Sequence, residues 1–153
     1  MKYRLWMLPA VALGSGLSAG AMANDITLSA QDLASLLSQS SEYGFTRYEK
    51  LEVDADDGEL EVEGWREDGW KLDVSMTLED GTLMRESQRK STLPDWSLTG
   101  DELTAALDTA RSRGLEHLDE LEVDSDGHVE IEGYDAAGDE LNVDIHRDAL
   151  TNH

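Results

Sequence analysis

The stretch Leu51-Glu52-Val53-Asp54 returns unchanged as Leu121-Glu122-Val123-Asp124, 70 positions further along the chain. Upstream of it, residues 28–37 return as residues 98–107 at the same spacing. Downstream, after the loss of one residue, Glu61-Val62-Glu63-Gly64-Trp65 returns as Glu130-Ile131-Glu132-Gly133-Tyr134. Similarity in one register over about fifty residues indicates an internal duplication, so the sequence encodes two related units.

Each copy opens with the pattern of one amphipathic helix. In the second copy Thr99 and Glu102 have the spacing of a capping box, and in the first copy Ser29 is the candidate N-cap. Leucines then recur at helical spacing, and Gly44 or Gly114 follows where a left-handed C-cap is expected. After the glycine, apolar and acidic residues alternate strictly, which predicts strands with one buried and one wet face in an antiparallel sheet.

Asp-Gly and Gly-Asp dipeptides separate the alternating runs and predict tight turns between neighbouring strands. We therefore predict an α+β fold of two tandem repeats, each one helix packed on a three- to four-stranded antiparallel meander. The first repeat, copy one, spans residues 26–90, and the second, copy two, spans residues 96–150. A unit of about sixty residues is near the lower limit of independent stability, so we expect the copies to pack together.

The N-terminus has the features of a secretory signal peptide over residues 1–23. A basic start, Met1-Lys2-Tyr3-Arg4, precedes an apolar stretch that ends in Ala21-Met22-Ala23. This order predicts cleavage between Ala23 and Asn24. The apolar stretch is too short and too interrupted to span a bilayer, and no other stretch is apolar enough. We therefore expect a periplasmic or secreted protein without a transmembrane segment.

Acidic residues dominate the composition. The formal net charge of the whole chain is -22, and it becomes -24 when Lys2 and Arg4 leave with the signal peptide. No basic patch is present, so nucleic acid and anionic membranes are poor partners. The charge is typical either of a solvated surface adapted to a salty exterior, as in halophilic adaptation, or of an acidic face that binds a basic partner or cations. Its even spread along the chain favours the first interpretation.

The order of motifs resembles the PepSY domain family, twice over. A helix, a glycine, Leu-Glu-Val-Asp, a turn, Glu-x-Glu-Gly-aromatic and Leu-x-Val follow one another across residues 28–86 and again across 98–148. The resemblance implies a small α+β module of exported and membrane proteins, also found in propeptides of thermolysin-like proteases, with a role in modulating or inhibiting peptidases. A weaker likeness to the tandem-repeat fold of β-lactamase inhibitory proteins also implies binding rather than catalysis.

The sequence does not offer an arrangement typical of a catalytic site. It contains no cysteine, and its histidines, at positions 117, 128, 146 and 153, do not stand in a triad context. Glycine-rich phosphate loops and the HExxH zinc motif are absent, and nothing singles out one pair of carboxylates. We therefore expect a protein that is not an enzyme and needs no cofactor.

Two acidic turns leave calcium open as an alternative ligand. Asp54-Ala55-Asp56-Asp57-Gly58 and Asp124-Ser125-Asp126-Gly127 are rich in the oxygen ligands that calcium prefers. Neither has the glycine and glutamate positions of an EF-hand loop. Because Asp-Gly also suits a tight hairpin, the turn interpretation is favoured, and low-affinity binding of calcium or other cations is the alternative function.

Trp65 and Tyr134 occupy equivalent positions after a glycine and are the candidate partner-binding residues. Exposed aromatic residues are enriched at interface hot spots, although such a residue also often caps the edge of a core. The sequence as a whole predicts an exported, non-catalytic binding or regulatory module of PepSY type. Its expected partner is a protein, either a peptidase or another protein of the cell envelope.

Overall fold

The computed structural model of the chain describes residues 30–151. The predicted signal peptide, its cleavage site at Ala23 and Asn24, and the candidate N-cap Ser29 lie outside the described residues. The helices and strands are, in chain order, α1 (Ala30–Ser40), β1 (Phe45–Asp54), β2 (Glu59–Arg66), β3 (Trp70–Thr77), β4 (Leu83–Lys90), β5 (Leu98–Thr99), α2 (Gly100–Ser112), β6 (His117–Val123), β7 (His128–Tyr134) and β8 (Glu140–His146). Short 3₁₀ turns follow α1 at Ser41–Tyr43 and β8 at Arg147–Ala149.

All the strands within residues 30–151 belong to one antiparallel sheet of eight strands. Seven of them follow the order β4-β3-β2-β1-β6-β7-β8, and the short β5 pairs with the first half of β1. The predicted fold of two tandem helix-on-meander repeats is therefore wrong. The first strands of the two meanders pair edge to edge, so the described part of the chain forms a single continuous sheet with two short helices. This pairing satisfies two strand edges that separate repeats would leave open.

The junction between β1 and β6 brings equivalent residues of the two copies face to face. Leu51 pairs with Leu121, its own repeat equivalent, and Glu52 pairs with Glu120. The register therefore places a local pseudo-twofold axis through this leucine pair, as in an isologous dimer interface. Lys50 lies beside the axis, where its Nζ contacts Glu52 at 2.8 Å and Glu120 at 3.1 Å.

One hydrophobic core serves both copies and lies between the helices and one face of the sheet. Leu36 of α1 and Leu103 of α2 belong to the same buried cluster as Leu51, Leu121 and Ile131 of the strands. The predicted alternation accounts for this, since every second residue of β7 is buried. The acidic residues between them lie on the opposite face of the sheet, called here the wet face. No helix within residues 30–151 is long and apolar enough to cross a membrane.

Candidate binding cleft

An open cleft of about 800 Å³ lies where the end of β1 meets the start of β6 and the turn that follows β7. It is called here the acidic cleft, because its charged lining is dominated by carboxylates. These are Glu52, Asp54, Asp56, Asp119, Glu120 and Asp135. Among the described residues that line it there is no lysine or arginine. The cleft can therefore attract and hold a cationic group.

The fold itself brings these carboxylates together from distant parts of the sequence. Alternation along β1 turns Glu52 and Asp54 to the exposed side, while Leu51 and Val53 enter the core. The antiparallel pairing of β1 with β6 then places Glu120 directly opposite Glu52. Repulsion between such cross-strand acids is a cost to folding unless a cation lies near them.

The electrostatics of the cleft are those of crowded negative charge. Burial raises the pKa of the Asp119 carboxyl above its ordinary value, and the nearby charges of Glu120, Glu52 and Asp54 raise it further. Lys50 relieves part of this repulsion through its contacts with Glu52 and Glu120. A cation bound in the cleft would favour the charged form of the Asp119 carboxyl.

Tyr134 forms one wall of the cleft and is 39% exposed, whereas its repeat equivalent Trp65 is only 3% exposed. Trp96, from the connection between β4 and β5, packs edge to face on Trp65 with ring centroids 5.6 Å apart. Burial leaves Trp65 unavailable as a surface contact. Of the two aromatic residues suggested by the sequence, Tyr134 is the accessible one, and its role in partner binding stays a prediction.

The two acidic turns are held by their own backbone hydrogen bonds. Asp54 Oδ1 accepts hydrogen bonds from the N–H groups of Asp56 and Asp57, and Asp124 Oδ1 accepts them from Asp126 and His128. This is the Asx geometry of a turn. Within residues 30–151 no three His, Asp or Glu side chains are grouped closely enough to hold a metal ion. The calcium alternative therefore gains no support from this geometry.

His128 and His146 contact acids and backbone groups, whereas His117 Nδ1 is buried without a hydrogen-bond partner among the described residues. His128 Nδ1 lies 3.4 Å from Asp144 Oδ1, and the rings of His128 and His146 meet edge to face at 5.2 Å. His146 Nε2 lies 3.2 Å from the carbonyl oxygen of Asp126. These contacts do not assemble a nucleophile with a base. The absence of catalysis stays a prediction.

No family model matches the chain, and no curated protein or solved structure matches it either. The resemblance to the PepSY family therefore depends on the sequence motifs alone.

Sequence reasoning did not locate the acidic cleft, because its walls come from both copies and meet only when β1 pairs with β6. A signal for it was present in the repeat. Lys50 and Lys71 of copy one are replaced by Glu120 and Glu140 at the equivalent positions of copy two. Two changes from base to acid at equivalent positions indicate that copy two presents its wet face differently.

Proposed function

We propose that this protein is an exported, non-catalytic binding module that takes a basic polypeptide segment of a partner protein in the acidic cleft. The observation that carries the proposal is the cleft itself, in which an exposed aromatic ring stands among six carboxylates. Basic segments are attracted by the field of such a cleft, and an aromatic wall adds a contact for their side chains.

The size and shape of the cleft favour a polypeptide over a small ion. At about 800 Å³ it lies in the range of sites that hold organic ligands, and it is open to solvent. The partner classes suggested by the PepSY resemblance, a peptidase or another envelope protein, are consistent with a segment of this kind. Export with cleavage between Ala23 and Asn24 is part of the proposal, because it places the module where such partners occur.

The test is a calorimetric titration of residues 24–153 with a blocked octapeptide of alternating lysine and serine. We expect binding that weakens as salt is added, because added ions screen the charges of the cleft. Tyr134→Ala should weaken binding at least about tenfold, which corresponds to about 1.4 kcal/mol, because it removes the aromatic wall.

The matched control is Met84→Ala, which truncates another exposed apolar side chain on the distant strand β4 and should leave the affinity unchanged. An octapeptide in which glutamate replaces lysine should not bind. The proposal fails if the lysine peptide does not bind, or if the Tyr134 and Met84 variants bind it equally well.

A further inference from the structure

At one copy of a repeated site, a lysine of the chain itself already occupies the position of a bound cation. In copy one, the Lys71 ammonium contacts the Glu49 carboxylate and lies 3.0 Å from Glu63 Oε2. The same ammonium lies 5.1 Å from the centre of the Trp65 ring, within the range of a cation–π contact. The Lys71 side chain is only 12% exposed. Burial alone would lower the pKa of Lys71, but its bonds to Glu49 and Glu63 outweigh that effect and raise it.

Strand pairing shows which residues of copy two are equivalent. Trp65 pairs with Lys71 across β2 and β3, and Tyr134 pairs with Glu140 across β7 and β8 in the same way. Glu140 therefore stands where copy one has the lysine.

The carboxylates on either side of the lysine are conserved in kind between the copies. Glu49 lies at a β-bulge of β1, and Asp119 lies at the equivalent bulge of β6. Glu63 and Glu132 also occupy equivalent positions, one residue before the motif glycine in their strands. Copy two thus keeps both acids and an aromatic ring, and a further acid stands in place of the cation. Asn142 stands in place of Asp73, and its Nδ2 donates to Glu132 Oε1 at 3.2 Å.

These residues line a separate concavity of about 360 Å³, called here the Tyr134 pocket, with walls from Asp119, Glu132, Tyr134, Glu140 and Asn142. It adjoins the acidic cleft, since Asp119 and Tyr134 line both. No lysine or arginine of the described chain lines it. Three carboxylates therefore surround an exposed ring at the place where copy one holds an ammonium group.

We propose that the Tyr134 pocket binds the side chain of a lysine of the partner protein, in the position that Lys71 occupies in copy one. The ammonium lies over the Tyr134 ring and between the carboxylates of Asp119 and Glu132. The proposal rests on the function proposed above and specifies its recognition element. The internal copy is the template for it, because the same backbone pairing already supports a partly buried, doubly paired lysine.

Glu140→Lys tests the proposal by supplying the missing cation from the chain itself. The introduced ammonium should reproduce the contacts of Lys71 and block the pocket. We expect the affinity for the lysine–serine octapeptide to fall at least about tenfold. The melting temperature should rise above that of the wild type, because an acid in a cluster of acids is replaced by its counter-ion.

Glu79→Lys is the matched control, because it makes the same change of charge at an exposed turn between β3 and β4. It should reduce the affinity less than about twofold, as expected for a distant charge screened by salt. If the two variants lose affinity equally, the Tyr134 pocket is not the lysine site and the inference is overturned. In that case the wild type still binds the peptide, so the proposed function stands. If the wild type does not bind at all, the proposed function itself has failed.

Two further outcomes bear on the occupant. An octapeptide with norleucine in place of lysine should not bind, and binding as tight as that of the lysine peptide would overturn the need for an ammonium.

Residues 25–29 are the repeat equivalents of residues 95–99. Residues 95–99 include Trp96, which packs on Trp65 of copy one. Deleting residues 24–29 should leave the affinity unchanged. A gain of about tenfold or more would show that this segment, rather than a partner, fills the pocket, and it would overturn the inference.

Discussion

At the scale of single residues, the repeated Glu-x-Glu-Gly-aromatic motif has a packing reason. A Cβ atom on Gly64 would collide with the backbone carbonyl oxygen of Arg47, and one on Gly133 would collide with that of His117. Glycine is therefore required at both positions by the close approach of the neighbouring strand at its bulge. The residue that follows each glycine lies on the wet face. In copy one it is the buried Trp65, and in copy two it is the exposed Tyr134.

Trp65 and Tyr134 should accordingly have opposite roles in stability and binding. Trp65→Ala should lower the free energy of unfolding by about 3 kcal/mol, because the ring is buried against Trp96 and Lys71. Tyr134→Ala should lower it by less than about 1 kcal/mol, because the ring is partly exposed. Urea denaturation of both variants measures this difference. Equal losses of stability would contradict the environments described for the two rings.

At the scale of elements, the start of α2 is tied to the end of the chain. The predicted capping box between Thr99 and Glu102 is confirmed, with the Thr99 N–H donating to Glu102 Oε2 at 2.8 Å. Arg147, in the 3₁₀ turn after β8, donates from Nε to Glu102 Oε1 at 3.0 Å and from its guanidinium to the carbonyl oxygen of Asp95. Glu102 thus joins the helix start to the turn that follows the last strand.

Glu102→Gln should cost about 1 kcal/mol of stability at neutral pH, because it weakens charge-assisted hydrogen bonds of a carboxylate that is only 6% exposed. Burial alone would raise the pKa of Glu102, but its bonds to the Thr99 N–H and to Arg147 outweigh burial and lower it from 4.5. A lowered pKa means that this stabilisation is present above the unfolded value and is lost as the pH falls through the folded value. Urea denaturation at several pH values should therefore show the cost of the variant vanish in acid, and a cost independent of pH would contradict it.

At the scale of the whole molecule, the pairing between the two copies resembles a dimer interface inside one chain. The β1–β6 pairing joins two meanders into one sheet, lets both helices share one core, and forms the acidic cleft beside the junction. In copy one, Lys71 pairs with the wet-face acids Glu49 and Glu63. In copy two, no lysine or arginine of the described chain lines the Tyr134 pocket. The copies therefore differ in charge at equivalent positions, and the lysine proposed to bind at copy two would supply the cation that copy one already has.

Much of the local structure follows from the sequence, but the joining of the copies does not. Alternation of residues such as Leu51 and Glu52 fixes which face of a strand is buried, and it is the same whether or not the strand edge is paired. Edge pairing uses backbone hydrogen bonds, which leave little trace in side-chain patterns. The sequence therefore predicts two repeats that pack together, each with its own meander, whereas the structure has one continuous sheet. The burial of Trp65 also depends on Trp96, which reaches it from the segment between β4 and β5.

Binding of a lysine at the Tyr134 pocket is tested most directly by a nuclear magnetic resonance titration of labelled protein, residues 24–153, with the lysine–serine octapeptide. We expect the largest chemical-shift changes at the carboxyl carbons of Asp119 and Glu132 and on the ring of Tyr134. Glu61, an acid on the wet face of copy one, should change little, because Arg85 already contacts it at 2.9 Å. Changes of similar size at Glu61 and at Asp119 would contradict a defined site and would show that the peptide only screens the acidic surface.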